Sequence, residues 1–223
     1  YIVEQAETWF GDGHPRRSIA ILYRSNAQSR VLEEALLREG IPYRIYGGQR
    51  FYERLEIRNA LAYLRLAQTR EDDPALERVL NTPPRGIGSK TVEKIREVAR
   101  AEQIPMWQAI HRTREQSLLP ARALTALGNF QALIDDLDRS SETLPLDELT
   151  EHVIEVTGLL DYHRSEKSER GQARVENLQE LVTATRLFEP EDEEISPLQA
   201  FLDSAALDAG EGQADPYEDS IQM

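Results

Sequence analysis

The hydrophobic pattern of this chain changes character near residue 50. Before it, Ile19-Ala20-Ile21-Leu22-Tyr23 is a continuous apolar run of strand length, the pattern of a strand buried on both faces of a parallel sheet. Ser25-Asn26-Ala27-Gln28 has capping-box form and predicts a helix to Glu39, with Val31, Leu32, Ala35 and Leu36 apolar. Gly40 ends that helix, and Ile41 to Tyr46 predicts a second short strand before Gly47-Gly48. Strand, helix and strand over about thirty residues make a βαβ unit. A helix end from Tyr1 to Trp9 and a Gly-Asp-Gly turn precede it.

Beyond Phe51 the periodicity is helical. Glu53 to Ala67 carries Leu55, Ala60, Leu61 and Leu64 on one face, and Asp73-Pro74 starts the next helix with a capping Asp and Pro at the first helical position. Further helices are predicted over Pro105 to Arg112, Pro120 to Arg139, Pro145 to Thr157 with Gly158 as terminator, Gln172 to Leu187, and from the capping box Ser196-Pro197-Leu198-Gln199 to Leu207. Ala209 to Pro216 reads as a linker, and Ser220 to Met223 as the beginning of a strand. Both ends read as cut from something longer.

One stretch breaks this grammar. In Asn81-Thr82-Pro83-Pro84-Arg85-Gly86-Ile87-Gly88-Ser89-Lys90-Thr91, two prolines stop a helix, a Gly-Ile-Gly turn reverses the chain, and a new helix opens with unpaired N–H groups facing the turn. Gly86 and Gly88 can take positive φ and hold nothing away from the backbone, so a phosphate oxygen can reach the amides. Arg85, Lys90 and Lys94 supply charge, with Val92 and Ile95 facing inward. The bland reading is a helix–turn–helix connector with a solvated lysine face; the sharper one is a helix-hairpin-helix element gripping the sugar-phosphate backbone without reading bases. Gly88-Ser89-Lys90-Thr91 ends like a Walker A loop, but Ser is inserted and no Gly stands at the required distance, so no nucleotide site is expected here.

Charge sharpens the contrast. Forty acidic against 26 basic residues give a net charge of −14, yet the eleven acids from Glu189 onward face no Lys or Arg, leaving −3 for residues 1 to 188. A nearly balanced body can bind nucleic acid through a local patch, because only charge within a Debye length of about 8 Å counts. There is no Cys, and His14, His111, His152 and His163 lack metal-ligand spacing, so surface or capping roles are expected for them and no metal site. No run approaches the roughly 18 apolar residues of a membrane span, and no signal pattern opens the chain, which predicts a cytoplasmic protein without membrane contact.

The segments Ile21-Leu22-Tyr23-Arg24-Ser25-Asn26-Ala27-Gln28-Ser29-Arg30, Pro42-Tyr43-Arg44-Ile45-Tyr46-Gly47-Gly48, Asn81 to Gly88, Arg174-Val175-Glu176-Asn177-Leu178-Gln179-Glu180-Leu181 and Gly210 to Asp215 together resemble the UvrD/PcrA/Rep family of superfamily 1 DNA helicases, in order and over essentially the whole chain. The resemblance implies a mainly α fold: an all-helical 2B-like domain with the helix-hairpin-helix element, residues 51–207, inserted into a partial α/β RecA-like domain of the P-loop NTPase class. Residues 1–50 form its βαβ segment and 208–223 the return. It implies duplex contacts at Arg85, Gly86, Ile87, Gly88, Lys90 and Thr91, and single-strand contacts at Arg24, Asn26 and Arg50. Pro84 stands where relatives can have Thr and offers neither hydroxyl nor N–H. ATP and Mg²⁺ belong to motifs absent from this chain, which alone is expected to be inactive, with no catalytic residue and no cofactor of its own. DNA at a single-strand/duplex junction, the remaining motor domains and repair proteins are the implied partners, in a bacterial, nucleoid-associated helicase of nucleotide excision and mismatch repair. Rotation about Gly47-Gly48 and Gly210 to Pro216 would switch the motor. A rival reading is an interaction module that docks repair partners through its helices and the acidic segment from Glu189.

Overall fold

A computed structural model describes residues 1–46, 48–190, 194–210 and 218–223. Gly47 of the first expected hinge, the centre of the acidic tract at 191–193 and residues 211–217, which hold most of the expected linker, lie outside the described residues. Those described are mainly helical: α1 (Ile2–Gly11), α2 (Ser29–Arg38), α3 (Leu55–Gln68), α4 (Asp73–Val79), α5 (Ser89–Glu102), α6 (Met106–Glu115), α7 (Ala121–Ser141), α8 (Leu146–Val156), α9 (Leu159–Ser165), α10 (Glu169–Leu187) and α11 (Pro197–Gly210), with two short strands, β1 (Tyr43–Arg44) and β2 (Ile221–Gln222).

Two apolar clusters hold the chain together. The larger surrounds α3, whose Ile57, Ala60, Tyr63, Leu64, Leu66 and Ala67 are fully buried, and draws on α4 to α8, α10 and α11. Leu55, expected on the apolar face, is 51% exposed instead. As its first helical residue it lies at the rim, while Ile57 and Tyr63 turn inward. The smaller cluster joins Ala6, Ile21, Leu36, Ile41, Tyr43, Ile45, Ile221 and Met223.

In the smaller piece the run 19–23 does not form a strand buried on both faces. Only Ala20 bridges, to Gln222, while Ile21 is buried and Leu22 is 92% exposed. Among the described residues one side of this segment is left uncovered, so Leu22 stands in the open and the continuous apolar run behaves as an alternating one. β2 pairs in parallel with β1, Tyr43 opposite Ile221 and Arg44 opposite Gln222, so the last residues lie between the two segments of the expected βαβ unit. The Asp219 carboxylate fixes this return by accepting from the amides of Arg16 (3.0 Å) and Arg17 (2.9 Å), which hold its pKa below the usual range.

Helix starts follow their local chemistry, with shifts at α10, which Ser168 caps so that it opens at Glu169 and not Gln172, and at α4. Asp72, not Asp73, caps α4 by accepting from Ala75 N–H (2.9 Å); Asp73 accepts from the Met106 amide (2.8 Å) and so starts α6 from another helix. Ser196 Oγ accepts from Gln199 N–H at the start of α11, and Gln28 Oε1 accepts from the amides of Arg24 and Ser25. Gly158, at φ +78°, separates α8 from α9, a helix not anticipated from the sequence.

A buried polar seam joins the two pieces. Arg54 donates to the Asn26 carbonyl (2.7 Å), Ser29 Oγ (2.6 Å) and Asn177 Oδ1 (2.9 Å), and Asn177 donates to Glu56 (2.6 Å). Arg30 on α2 reaches Glu180 on α10 at 2.7 Å. Glu33, 5% exposed, accepts from Ser29 Oγ and the Phe51 amide.

Candidate nucleic-acid interface

The turn between α4 and α5 is built by Asn81, which sequence reasoning did not single out. Its Oδ1 accepts from the amides of Arg85 (2.7 Å) and Ile87 (3.2 Å), an Asx-type closure for which Asn ahead of Thr-Pro-Pro is the signal. The Thr82–Pro83 bond is cis. The Tyr63 hydroxyl donates to the Thr82 carbonyl (2.6 Å), and burial pushes its pKa up, so it remains a donor. Ile87, 1% exposed, plugs the turn into the larger core.

Gly86 takes φ +78°, the left-handed region glycine favours, whereas Gly88 sits at φ −80°, ψ 172°, which any residue adopts. The expected conformational need for glycine thus holds at Gly86 and not at Gly88. A Cβ at either would meet nothing within 4 Å. The amides of Gly88, Ser89 and Lys90 have no acceptor among the described residues, and all three residues are exposed at the start of a 14-residue helix. Partial positive charge collects there.

The side chains around this start divide. Lys90 is exposed and enters no ion pair among the described residues. Arg85, expected to hold a phosphate, turns inward instead: its guanidinium donates to the carbonyls of Pro83 (2.9 Å) and Thr157 (2.6 Å) and lies 5.5 Å from the Tyr63 ring centroid. It ties the turn to the end of α8. Thr91, 7% exposed, packs inside the first turn of α5. Lys94 pairs with Glu97 (3.2 Å), and Arg96 with Glu77 of α4 (2.5 Å), so part of the basic stretch is neutralised by a carboxylate from a neighbouring helix. Of the residues expected on the duplex, Gly86, Gly88 and Lys90 share one open surface, while Arg85, Ile87 and Thr91 support it from below.

Arg24 and Asn26 are exposed at the end of the 19–21 segment. With them, lining one open cleft, stand Lys167, Ser168 and Gln172 at the start of α10, a conjunction that no spacing in the sequence betrays. Arg50 does not join them. It is 2% exposed, donates to the Tyr43 hydroxyl (2.8 Å) and lies 3.9 Å from Glu33, so the expected strand contact is corrected to an interior role in the seam. Its neighbours Tyr43, on β1, and Glu33, on α2, lie seven and seventeen residues upstream and meet it only through the fold. His163, expected at the surface, is 1% exposed. Among the described residues no group of three or more His, Asp or Glu could hold a metal ion, and no helix is long and apolar enough to cross a membrane.

The family model of the UvrD-like helicase C-terminal domain matches residues 1–223. DNA helicase II of Escherichia coli is 52% identical over 225 residues, a match covering 100% of this chain and 31% of that protein. DNA helicase II of Haemophilus influenzae is 49% identical with the same coverage. ATP-dependent DNA helicase PcrA of Bacillus subtilis is 41% identical over 201 residues, 90% of this chain and 27% of that protein. The chain spans about a third of the length of the DNA helicase II relatives it matches.

Proposed function

This chain belongs to the UvrD-like helicase C-terminal domain family, and on that premise we propose that it is the duplex-gripping, regulatory portion of an ATP-dependent 3′-to-5′ DNA helicase of bacterial DNA repair. In this reading residues 51–207 are the 2B-like domain carrying a helix-hairpin-helix grip, and residues 1–50 with 208–223 belong to a RecA-like domain. The two separate apolar clusters support that division. ATP and Mg²⁺ act elsewhere in the parent, in motor domains that work with this one. A cytoplasmic, nucleoid-associated setting and repair partners belong to the same proposal.

The observation that carries the grip is the exposed trio of unpartnered amides at Gly88, Ser89 and Lys90, beside Gly86 and the Lys90 ammonium. Phosphate oxygens accept from such amides and the helix start favours their charge. Arg24 and Asn26, across the start of α10, would meet the single strand. The turn reads no base edge, so binding is sequence-independent.

The test is fluorescence anisotropy of this chain with a tailed duplex across a salt series. Wild type should bind at about 10⁻⁴ to 10⁻⁶ M, weakening as salt rises. Gly88→Val needs no change of φ and meets open space, so it should fold normally yet hold phosphate away from the amides. Undiminished binding by a folded Gly88→Val chain refutes the grip. A folded wild type that binds no duplex at low salt refutes the DNA reading.

A further inference from the structure

A second feature lies beside the turn. α3, α4, α9, α10 and Thr82 enclose an open cleft of about 610 Å³, lined by Asn59, Glu77, Arg78, Thr82, His163 and Arg174 among others. Its polar groups are short of partners. The side chain of His163 is 1% exposed and both its ring nitrogens are buried without a hydrogen bond, Nδ1 standing 3.9 Å from the Glu166 carboxylate. Nearly all buried polar atoms in folded proteins are paired. Arg78 is half-buried and makes no hydrogen bond or ion pair among the described residues; burial and the charge of Arg58 depress its pKa. A guanidinium that is partly desolvated and pressed by a second cation calls for an anion.

The carboxylates nearby are already committed. Glu77 is held by Arg96 at 2.5 Å, and Glu166 accepts from Arg174 at 2.8 Å. Arg174 also lies 3.8 Å from Glu56. What is left over in the cleft is the Arg78 charge together with imidazole nitrogens that need an exchange partner.

We propose that this cleft is a second phosphate subsite for the nucleic acid, with Arg78 as the charged ligand and His163 as a neutral hydrogen-bond donor to the same phosphodiester. A phosphodiester suits both groups: its oxygens accept from the guanidinium and from an imidazole N–H, and it brings the charge that Arg78 lacks. The cleft includes Thr82, whose carbonyl is tied to Tyr63 at the root of the Gly-Ile-Gly turn. This inference deepens the DNA-binding reading and rests on it.

The test follows the four histidine side chains of the full 223-residue chain by long-range ¹H–¹⁵N spectra, during titration with the tailed duplex and, separately, with inorganic phosphate. The His163 signals should move with the duplex in wild type and stay still in Arg78→Gln. Arg78→Gln should also reduce the slope of log Kobs against log salt by about 1, and Arg78→Lys should restore most of it. Far-UV circular dichroism reports whether each variant is folded. Duplex binding by wild type with an unmoved His163 and an unchanged slope in Arg78→Gln overturns the subsite and leaves the grip standing. A His163 response to inorganic phosphate but not to duplex overturns the assignment to nucleic acid. No duplex binding by the folded wild type, with His163 silent to both ligands, overturns the subsite along with the DNA reading it deepens.

Discussion

Replacing Arg54 by Met should uncouple the two pieces of the chain. Arg54 is 7% exposed and makes three short bonds across the seam, to the Asn26 carbonyl, Ser29 Oγ and Asn177 Oδ1. Methionine keeps much of the aliphatic volume and removes every donor. Ser29 still donates to Glu33, and Glu33 still accepts from the Phe51 amide, so the groups stranded are the Asn26 and Gln49 carbonyls and Asn177 Oδ1. At roughly 1–3 kcal/mol for a buried polar atom left unpaired, which applies to Asn177 Oδ1, and less for carbonyls on exposed residues that water can reach, the loss is about 2–4 kcal/mol. Against a typical domain stability of about 5–15 kcal/mol this is a large fraction. The assay is urea unfolding followed by two single-tryptophan chains, since Trp9 lies on α1 beside the smaller cluster and Trp107 lies 6% exposed within the larger. In wild type the two signals should fall together. In Arg54→Met the Trp9 transition should move to lower urea while Trp107 shifts less. A total loss below about 1 kcal/mol, or transitions that remain coincident, would show that apolar contact and not this seam joins the pieces; so would additive losses in the cycle with Asn177→Ala.

Three further outcomes follow from single residues. Gly171→Ala should cost about 1–3 kcal/mol by urea midpoint, because a Cβ there would lie 2.2 Å from the Glu166 carbonyl oxygen and 2.9 Å from that of His163. Gly86→Ala, forced to φ +78°, should lose about 1–2 kcal/mol, whereas Gly88→Ala should stay within about 0.5 kcal/mol of wild type, both read by thermal melts. Burial, with the Arg174 charge, depresses the pKa of His163, so the folded chain binds fewer protons than the unfolded one; stability is held above the ordinary histidine pKa of about 6.5 and lost as pH falls through the folded value. His163→Gln should flatten the melting temperature between about pH 6.5 and 5, and an equally steep profile in that variant would refute the assignment.

The elements written in local chemistry were legible in the sequence, and those decided by distant partners were not. Pro105, Pro120 and Pro145 each stand as the N-cap of a helix where the chain was expected to start one, because a fixed φ and a missing N–H act on the spot. The Gly-Ile-Gly turn was visible for the same reason. Arg50 and Arg85 were misplaced because nothing beside them in sequence tells whether a guanidinium faces water; Tyr43 and Glu33 claim one, Thr157 and Tyr63 the other. The shift from Asp73 to Asp72 is of the same kind, since two adjacent acids compete for one cap and α6 takes the loser. The run 19–23 was read as fully buried because hydrophobicity reports affinity for a core, not whether something packs on both sides to supply it.

The placement of β2 between the 19–21 segment and β1 has a consequence for how the protein is made. On the ribosome, every residue of the larger cluster emerges before Ile221 does, so that core can close early and from contacts within one continuous stretch. The smaller piece meanwhile displays a vacant slot between two extended segments. At about 5–20 residues per second it waits on the order of 10 to 35 s, from the exit of Arg44 to that of Ile221, before its own strand arrives. Throughout that interval the two facing edges can template any extended chain nearby. Arg30 and Arg54, by joining the waiting piece to α10 as soon as α10 has formed, would hold it against a folded neighbour while β2 is still being synthesised.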